Sequence, residues 1–482
     1  MTNSSAFHIN CYLDTDHGRD VEILLPIVIF AERFLGCKVR FRFLWDFHSL
    51  QRDRPDLVMI PNIKGHHLYF QLGKLCYEQG IPVYAHESEG NFRTDGSFPY
   101  WGYNLDEFFY QEWVCCWSER TQHYLNTLAP SFTKKIVTTG APGFDRYRFA
   151  RFSSRQQLLA RWGKQAYQKV VGYAGWAFGK IYSQHKDIAL TYIHPDPKKR
   201  FKWVEDNRQY TEDLLRSCVE KYTDTLFVFK RHPKEIFEHE SKQVKNEMNG
   251  LVDYPNVLYI IDEEPIHDLI AISDIWMGFE TTTSLEAWLL QKPTIVLNKD
   301  TNFTRNNIYK GSAIASNANE LHSMIDEYYE QGKVSAFEQP ALAQVRAQIV
   351  FEAIGSADGL NHVRSAFLLK KSIRKASELS KPEHIKVGWY FTLFYYFYHL
   401  FKFVYSRRVF SRLPKFRKTV FIFEKWRLRG LPVRQEELKG FLDDFYQQKR
   451  VNADKVEDPA WWKQLFADFP TTLKQLFDEP AA

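Results

Sequence analysis

The stretch that decides the fold is the opening one. His8-Ile9-Asn10-Cys11-Tyr12-Leu13 is a β-rich run, Arg19 to Leu35 is an amphipathic helical stretch closed by Gly36, and Lys38 to Leu44 is β-rich again. Such alternation of short strands with helices is the mark of a parallel sheet with crossover helices. The pattern continues outward. Strands are expected at Leu57 to Pro61, Pro82 to His86 and Trp113 to Trp117, with helices from Leu68 to Gln79, ended by Gly80, and from Glu119 to Leu128, ended before Pro130. One three-layer sandwich accounts for residues 1 to about 150.

A second series starts near Lys169. Val170 to Tyr173, Leu226 to Lys230, Val257 to Ile261, Ile275 to Gly278 and Pro293 to Leu297 read as strands, and Ser284 to Leu290 as a helix. The punctuation Gly140-Ala141-Pro142-Gly143 and the helical Arg155 to Trp162 mark the crossing between the halves. The expectation is an α/β protein of two doubly wound, Rossmann-like domains facing a cleft, divided as 1–155 and 156–360, with a helical segment over 361–482. No repeat of about 20–50 residues is visible, which sets a solenoid aside.

Composition bounds the class. A chain of 482 residues, 44% hydrophobic and 25% charged, has room for two or three domains with cores of their own and is neither disordered nor fibrous. Six cysteines without a C-x-x-C pair suit a reducing cytosol and buried packing roles, and disfavour a disulfide framework or a thiolate zinc site. A secretory signal is not expected from the opening residues, and no run reaches the roughly 18–20 uninterrupted apolar residues of a membrane span; the nearest, Gly388 to Tyr405, is mostly aromatic and carries His399 and Lys402.

Charge is unevenly placed. Residues 361–450 hold 21 Lys and Arg against 7 Asp and Glu, a net +14, so a total of +6 leaves −8 for the rest. Trp389, Tyr390, Phe391, Phe394, Tyr395, Tyr396, Phe397 and Tyr398 precede Arg407, Arg408, Arg412, Lys415, Arg417 and Lys418. Aromatics favour the headgroup level and cations favour anionic lipid, so this segment reads as a peripheral anchor on an anionic membrane surface. The alternative is a helical layer packed on the body. Nucleic acid is not expected, because the aromatic run is too continuous for a stacking platform and the remainder is acidic.

Ligands in open α/β sheets settle beyond strand carboxyl ends, and four motifs lie there. His86-Glu87-Ser88-Glu89-Gly90 follows a strand and offers a carboxylate as general base. Lys230-Arg231-His232-Pro233 ends another and can present cationic and imidazole donors to phosphate. Thr281-Thr282-Thr283-Ser284, with Glu286 in the helix that follows, supplies hydroxyls and helix N–H groups to an anion; ordinary capping uses the same residue types. Gly175-Trp176-Ala177-Phe178-Gly179-Lys180 resembles a phosphate-approaching loop without matching the P-loop or the dinucleotide fingerprint. Asp14-Thr15-Asp16 is an acidic pair in a loop, where solvated acids are commoner than metal ligands, and no metal is expected.

In order along the chain, Glu87-Ser88-Glu89-Gly90, Arg231-His232-Pro233 and Thr281 to Ser284 resemble the acidic-acidic-Gly, His-Pro and Ser/Thr motifs of bacterial sialyltransferases and Kdo transferases. Arg19-Asp20, Gly140-Ala141-Pro142-Gly143-Phe144-Asp145 and Glu286-Ala287 with Lys292-Pro293 resemble the broader surface-carbohydrate-biosynthesis group, which is similar to CDP-glycerol glycerophosphotransferases. The resemblance covers roughly residues 8–300. It implies the GT-B fold, a nucleotide-sugar donor such as CMP-Kdo, a glycan or lipid-linked acceptor, capsule or lipopolysaccharide assembly at the cytoplasmic side of the inner membrane, and no cofactor. It implies Glu89 as base, His232 on the donor phosphate, and Thr282, Thr283 and Ser284 on the same phosphate. Ser88 stands where the first acid of the pair belongs, so Glu87 and Glu89 both stay open as the base. A glycerophosphotransferase or a catalytically silent module of a membrane assembly complex remain the alternatives.

Overall fold

The computed structural model describes residues 6–61, 67–88, 90, 109–179, 196–232, 246–261, 264–279, 281–298, 307–379, 382, 384–406 and 428–478. The chain divides into two compact units: one holds the residues up to Ala150 together with Phe351 onward, apart from a few residues between 91 and 108, and the other holds Arg151–Val350. The chain thus returns to its first unit after Val350, whereas the sequence reading sets residues 361–482 apart as a segment of their own.

In the first unit, β1 (Phe7–Leu13), β2 (Cys37–Phe43), β3 (Leu57–Ile60), β4 (Val83–His86), β5 (Trp113–Cys116) and β6 (Ile136–Thr138) form one parallel sheet in the order β2-β1-β3-β4-β5-β6. β3 and β4 are buried at every position, as sheets covered by helices on both faces require, which is why they read as unbroken apolar runs. The order reverses between β1 and β3, the topological switch point of this unit.

The second unit holds β7 (Lys169–Ala174), β8 (Thr225–Lys230), β9 (Val257–Ile260), β10 (Ile275–Gly278), β11 (Thr294–Val296) and β12 (Ala313–Ile314), ordered β12-β11-β10-β7-β8-β9. Counted within the unit this is the Rossmann order 3-2-1-4-5-6, and its switch point lies between β7 and β10. Two Rossmann-like domains and a helical, aromatic C-terminal segment are the GT-B components expected from the sequence. Predicted strand limits agree within about one residue. The helix Pro197–Lys221, missing from the sequence reading, is capped by the Asp196 side chain on Lys198 N at 2.8 Å with proline at its first position.

The C-terminal residues complete the first unit's core. The Asn361–Glu378 helix packs on the Arg19–Phe34 helix, and the Tyr84 hydroxyl on β4 donates to Ser365 O at 3.0 Å. Gly140, at φ 84°, lets the chain pass where a Cβ would strike Asn361 at 2.0 Å, and a Cβ on Gly355 would meet Gly140 Cα at 2.7 Å. The Gly140–Phe144 stretch is therefore a docking point for residues 354–362, and the passage to the second unit comes later, at Arg151. All six cysteines are buried and free.

Candidate functional site

Each unit carries a cluster at the carboxyl edge of its sheet. In the first, β4 ends at His86, buried between the Glu87 carbonyl, 3.2 Å from Nδ1, and Thr139 Oγ1, 3.3 Å from Nε2. Burial pulls its pKa down to about 4, so the ring is neutral at physiological pH. It is a core hydrogen-bonding group and no exposed acid or base. Glu87 is also buried, and its main-chain carbonyl accepts from the Trp117 indole N–H at 2.7 Å.

Ser88 and Gly90, the next described residues beyond Glu87, are each tied down. Ser88 N donates to Pro61 O at 2.8 Å, and Thr121 Oγ1 donates to Gly90 O at 3.0 Å. A Cβ on Gly90 would lie 2.2 Å from the Trp117 ring. The glycine is needed for close approach to an aromatic face. Glu89, the base implied by the resemblance, lies outside the described residues.

Asp14 and Asp16 stand at the first unit's switch point. Asp16 is already engaged, with Oδ1 3.0 Å from His17 Nδ1 and Oδ2 accepting from Gly430 N at 2.8 Å. Among the described residues, no three His, Cys, Asp or Glu side chains are grouped to hold a metal.

In the second unit the register aligns the motifs. Ala174, the last residue of β7, pairs with Lys230 at the end of β8 on one side and with Gly278 at the end of β10 on the other. The Gly175 loop, Arg231-His232 and the Thr281–Ser284 turn therefore leave the sheet side by side, at its switch point. Sequence separations of about fifty residues collapse to neighbouring strands.

The bonding at that edge alters several expected roles. Gly175 N donates to Lys230 O at 2.9 Å and Trp176 N to Glu247 Oε1 at 3.1 Å, so these two N–H groups serve the fold and are not the phosphate donors anticipated for this loop. Lys230 Nζ donates to Ile261 O at 2.7 Å, and Arg231, buried, is tied through its N–H to Ile260 O. His232 is half-buried.

The hydroxyl turn divides its labour. Thr283 Oγ1 accepts from the buried Trp276 indole at 2.8 Å, and Thr281 Oγ1 accepts from Thr283 N at 3.2 Å. Two of the four hydroxyls are thus structural. Thr282 sits at the helix start without a capping bond of its own, and Ser284 and Glu286 are buried in the first turn. The helix Thr283–Leu289 has seven residues, the length expected for Ser284 to Leu290, and begins one residue earlier.

Two features escaped the sequence. Trp176, Phe178, Trp203 and Phe279 close into an aromatic cluster over the switch point, with Trp176 and Phe279 centroids 5.4 Å apart and Phe178 and Phe279 5.0 Å apart. Ala177 turns between the first two at φ 58°. Glu247 is fully buried behind them, accepting from the Tyr173 hydroxyl at 2.9 Å as well as from Trp176 N. Burial raises its pKa, against the lowering effect of these bonds. In the sequence it sits in no recognisable motif, so nothing local marks it.

No family model matches the chain, and no curated protein sequence does either. Solved structures with a similar architecture include a UDP-GlcNAc 2-epimerase from Neisseria meningitidis bound to UDP-GlcNAc, at 13% identity over 76% of this chain and 100% of that one, TM-score 0.47. A glycosyltransferase from Rickettsia africae is similar at 12% identity over 77% and 99%, TM-score 0.44, and Anabaena HepE in complex with UDP-glucose at 12% over 77% and 100%, TM-score 0.41. The fold assignment rests on strand order and register, independently of these likenesses.

Proposed function

We propose that the protein is a metal-independent GT-B glycosyltransferase acting on a nucleotide-activated sugar. The observation that carries this reading is the alignment of Lys230, Ala174 and Gly278, which sets His232, Thr282 and the Gly175 loop around the switch point of a Rossmann sheet, where such folds take nucleotides. His232 and Thr282 hold the donor phosphate, and Glu89 or Glu87 takes the acceptor's hydroxyl proton. The acceptor oxygen bonds to the anomeric carbon, the sugar–phosphate C–O bond breaks, and the nucleotide leaves with the electron pair.

Within that reading, the order of the acidic, His-Pro and Ser/Thr motifs favours a CMP-linked acid sugar such as Kdo and an acceptor in surface-polysaccharide assembly. A hydrolysis and binding panel of CMP-Kdo, CMP-sialic acid, CDP-glycerol, UDP-GlcNAc and UDP-glucose tests it. Release of CMP without added acceptor is expected. Turnover of a UDP-sugar alone would move the donor to the class named with the Neisseria and Anabaena structures. Failure to bind or cleave any of the five overturns the reading.

A further inference from the structure

We propose that the outer face of the Trp389–Ser406 helix is a docking surface for an anionic lipid membrane, into which the helix sinks lengthwise. The inner face is already occupied. Phe391 packs on Phe47 with centroids 4.2 Å apart, Phe394 on Trp45 at 5.3 Å, Tyr398 on Phe43 at 4.9 Å and Tyr395 on His48 at 4.7 Å, and Thr392 Oγ1 lies 3.2 Å from His48 Nε2. These contacts fix the helix along the first unit and so settle which side chains face away.

The outward ones are large and apolar. Trp389 is 79% exposed, Tyr396 65%, and Leu400 and Phe403 56% each, joined by Leu393 and Phe397. Steps of three and four residues place all six on one stripe of about 120°, opposite Phe391, Phe394 and Tyr398. Eight of the thirteen large hydrophobics exposed among the described residues lie on this one helix, far more than scattered surface apolars require.

Charge selects the occupant. From residue 384 to 423 the sequence contains no Asp or Glu and eight Lys or Arg. A stretch carrying one sign of charge in its sequence complements anionic headgroups and does not complement a second copy of itself. Tryptophan and tyrosine on such a stripe suit the boundary between headgroups and acyl chains. No helix among the described residues is long and apolar enough to cross a membrane, which agrees with an in-plane role. The inference does not depend on the proposed transferase chemistry.

Co-sedimentation of the full chain with phosphatidylcholine vesicles, with and without phosphatidylglycerol, is the test. Binding is expected to the anionic vesicles at low salt, at least tenfold weaker in Trp389→Ser/Leu400→Ser/Phe403→Ser, with an unchanged unfolding midpoint because these side chains are exposed. If the triple variant lowers the midpoint, Trp389→Ser alone, at the most exposed position, is read instead, with a severalfold loss expected. Absence of binding by the intact protein, equal binding to neutral vesicles, or a concentration-dependent dimer that the triple variant abolishes would each overturn the proposal, the last in favour of a second copy.

Discussion

Asp145 Oδ2 accepts from both the main-chain N–H of His362, at 2.7 Å, and its ring Nδ1, at 2.8 Å, tying together two residues 217 positions apart. The other ring nitrogen lies 2.9 Å from the Tyr446 hydroxyl, and all three side chains are buried. Burial raises the Asp145 pKa while the His362 bonds lower it. His362→Ala strands a carboxyl group in the core, so it should cost about 1–3 kcal/mol, read as a shift of the urea midpoint. An unchanged midpoint would mean that the chain of bonds is not formed in solution.

The same closure predicts how truncation behaves. A chain ending at residue 350 loses the Asn361–Glu378 helix, its bond to Tyr84 and the partners of Gly140 and Asp145. Limited proteolysis should then digest residues 1–150 while 151–350 persist, since the second unit keeps its own clusters of buried residues. Equal resistance of both parts would contradict it.

Acid should weaken the first unit through His86. Its folded pKa lies near 4 against an ordinary 6.5, so the unfolded chain binds the proton first. Stability is therefore intact above about pH 6.5 and falls as pH drops toward 4, by about 3 kcal/mol over the whole window. His86→Asn, which retains a donor near the Glu87 carbonyl, should flatten that slope in a pH series of denaturation curves. A slope identical to the parent's would remove His86 as its source.

At the base, Glu89→Gln should reduce turnover by about 10²-fold or more while leaving donor affinity intact. Glu87→Gln alters a buried side chain and should act mainly on stability. Kinetics and thermal melts on both variants separate the roles. An inactive Glu87→Gln beside a fully active Glu89→Gln would transfer the role to Glu87.

The hydroxyl turn gives the sharpest contrast. Thr283→Val leaves the buried Trp276 indole without its acceptor and should cost about 1–3 kcal/mol of stability. Thr282→Ala should leave stability unchanged and weaken nucleotide binding by about 1–3 kcal/mol, measured by calorimetry. Equal affinity in the Thr282 variant and the parent would remove that hydroxyl from the phosphate cradle.

How much of this was legible beforehand follows from what is local. The strands β1, β4, β8 and β10 announce themselves because buried parallel strands are short apolar runs bounded by turn residues, and the crossover helices because their apolar period is local too. The motif residues Glu87, His232 and Thr282 are visible for the same reason, as polar residues directly after such runs. Sequence by itself therefore determined two parallel α/β domains and the candidate positions along the chain.

Tertiary structure alone decided the rest, because pairings between distant residues leave no periodic mark. Strand order places Lys230 and Gly278 beside Ala174, and a different order would have scattered the same motifs. Folding allotted Thr283 to Trp276 and Gly175 N to Lys230 O, so residues with binding chemistry became structural once their partners arrived from elsewhere. It brought Glu247 behind the Gly175 loop from a stretch with no pattern, and returned the chain after Val350 to a core begun at Phe7. It also covered one face of an aromatic helix and left the other bare, a division set by Phe43, Trp45 and Phe47, which lie more than 340 residues upstream.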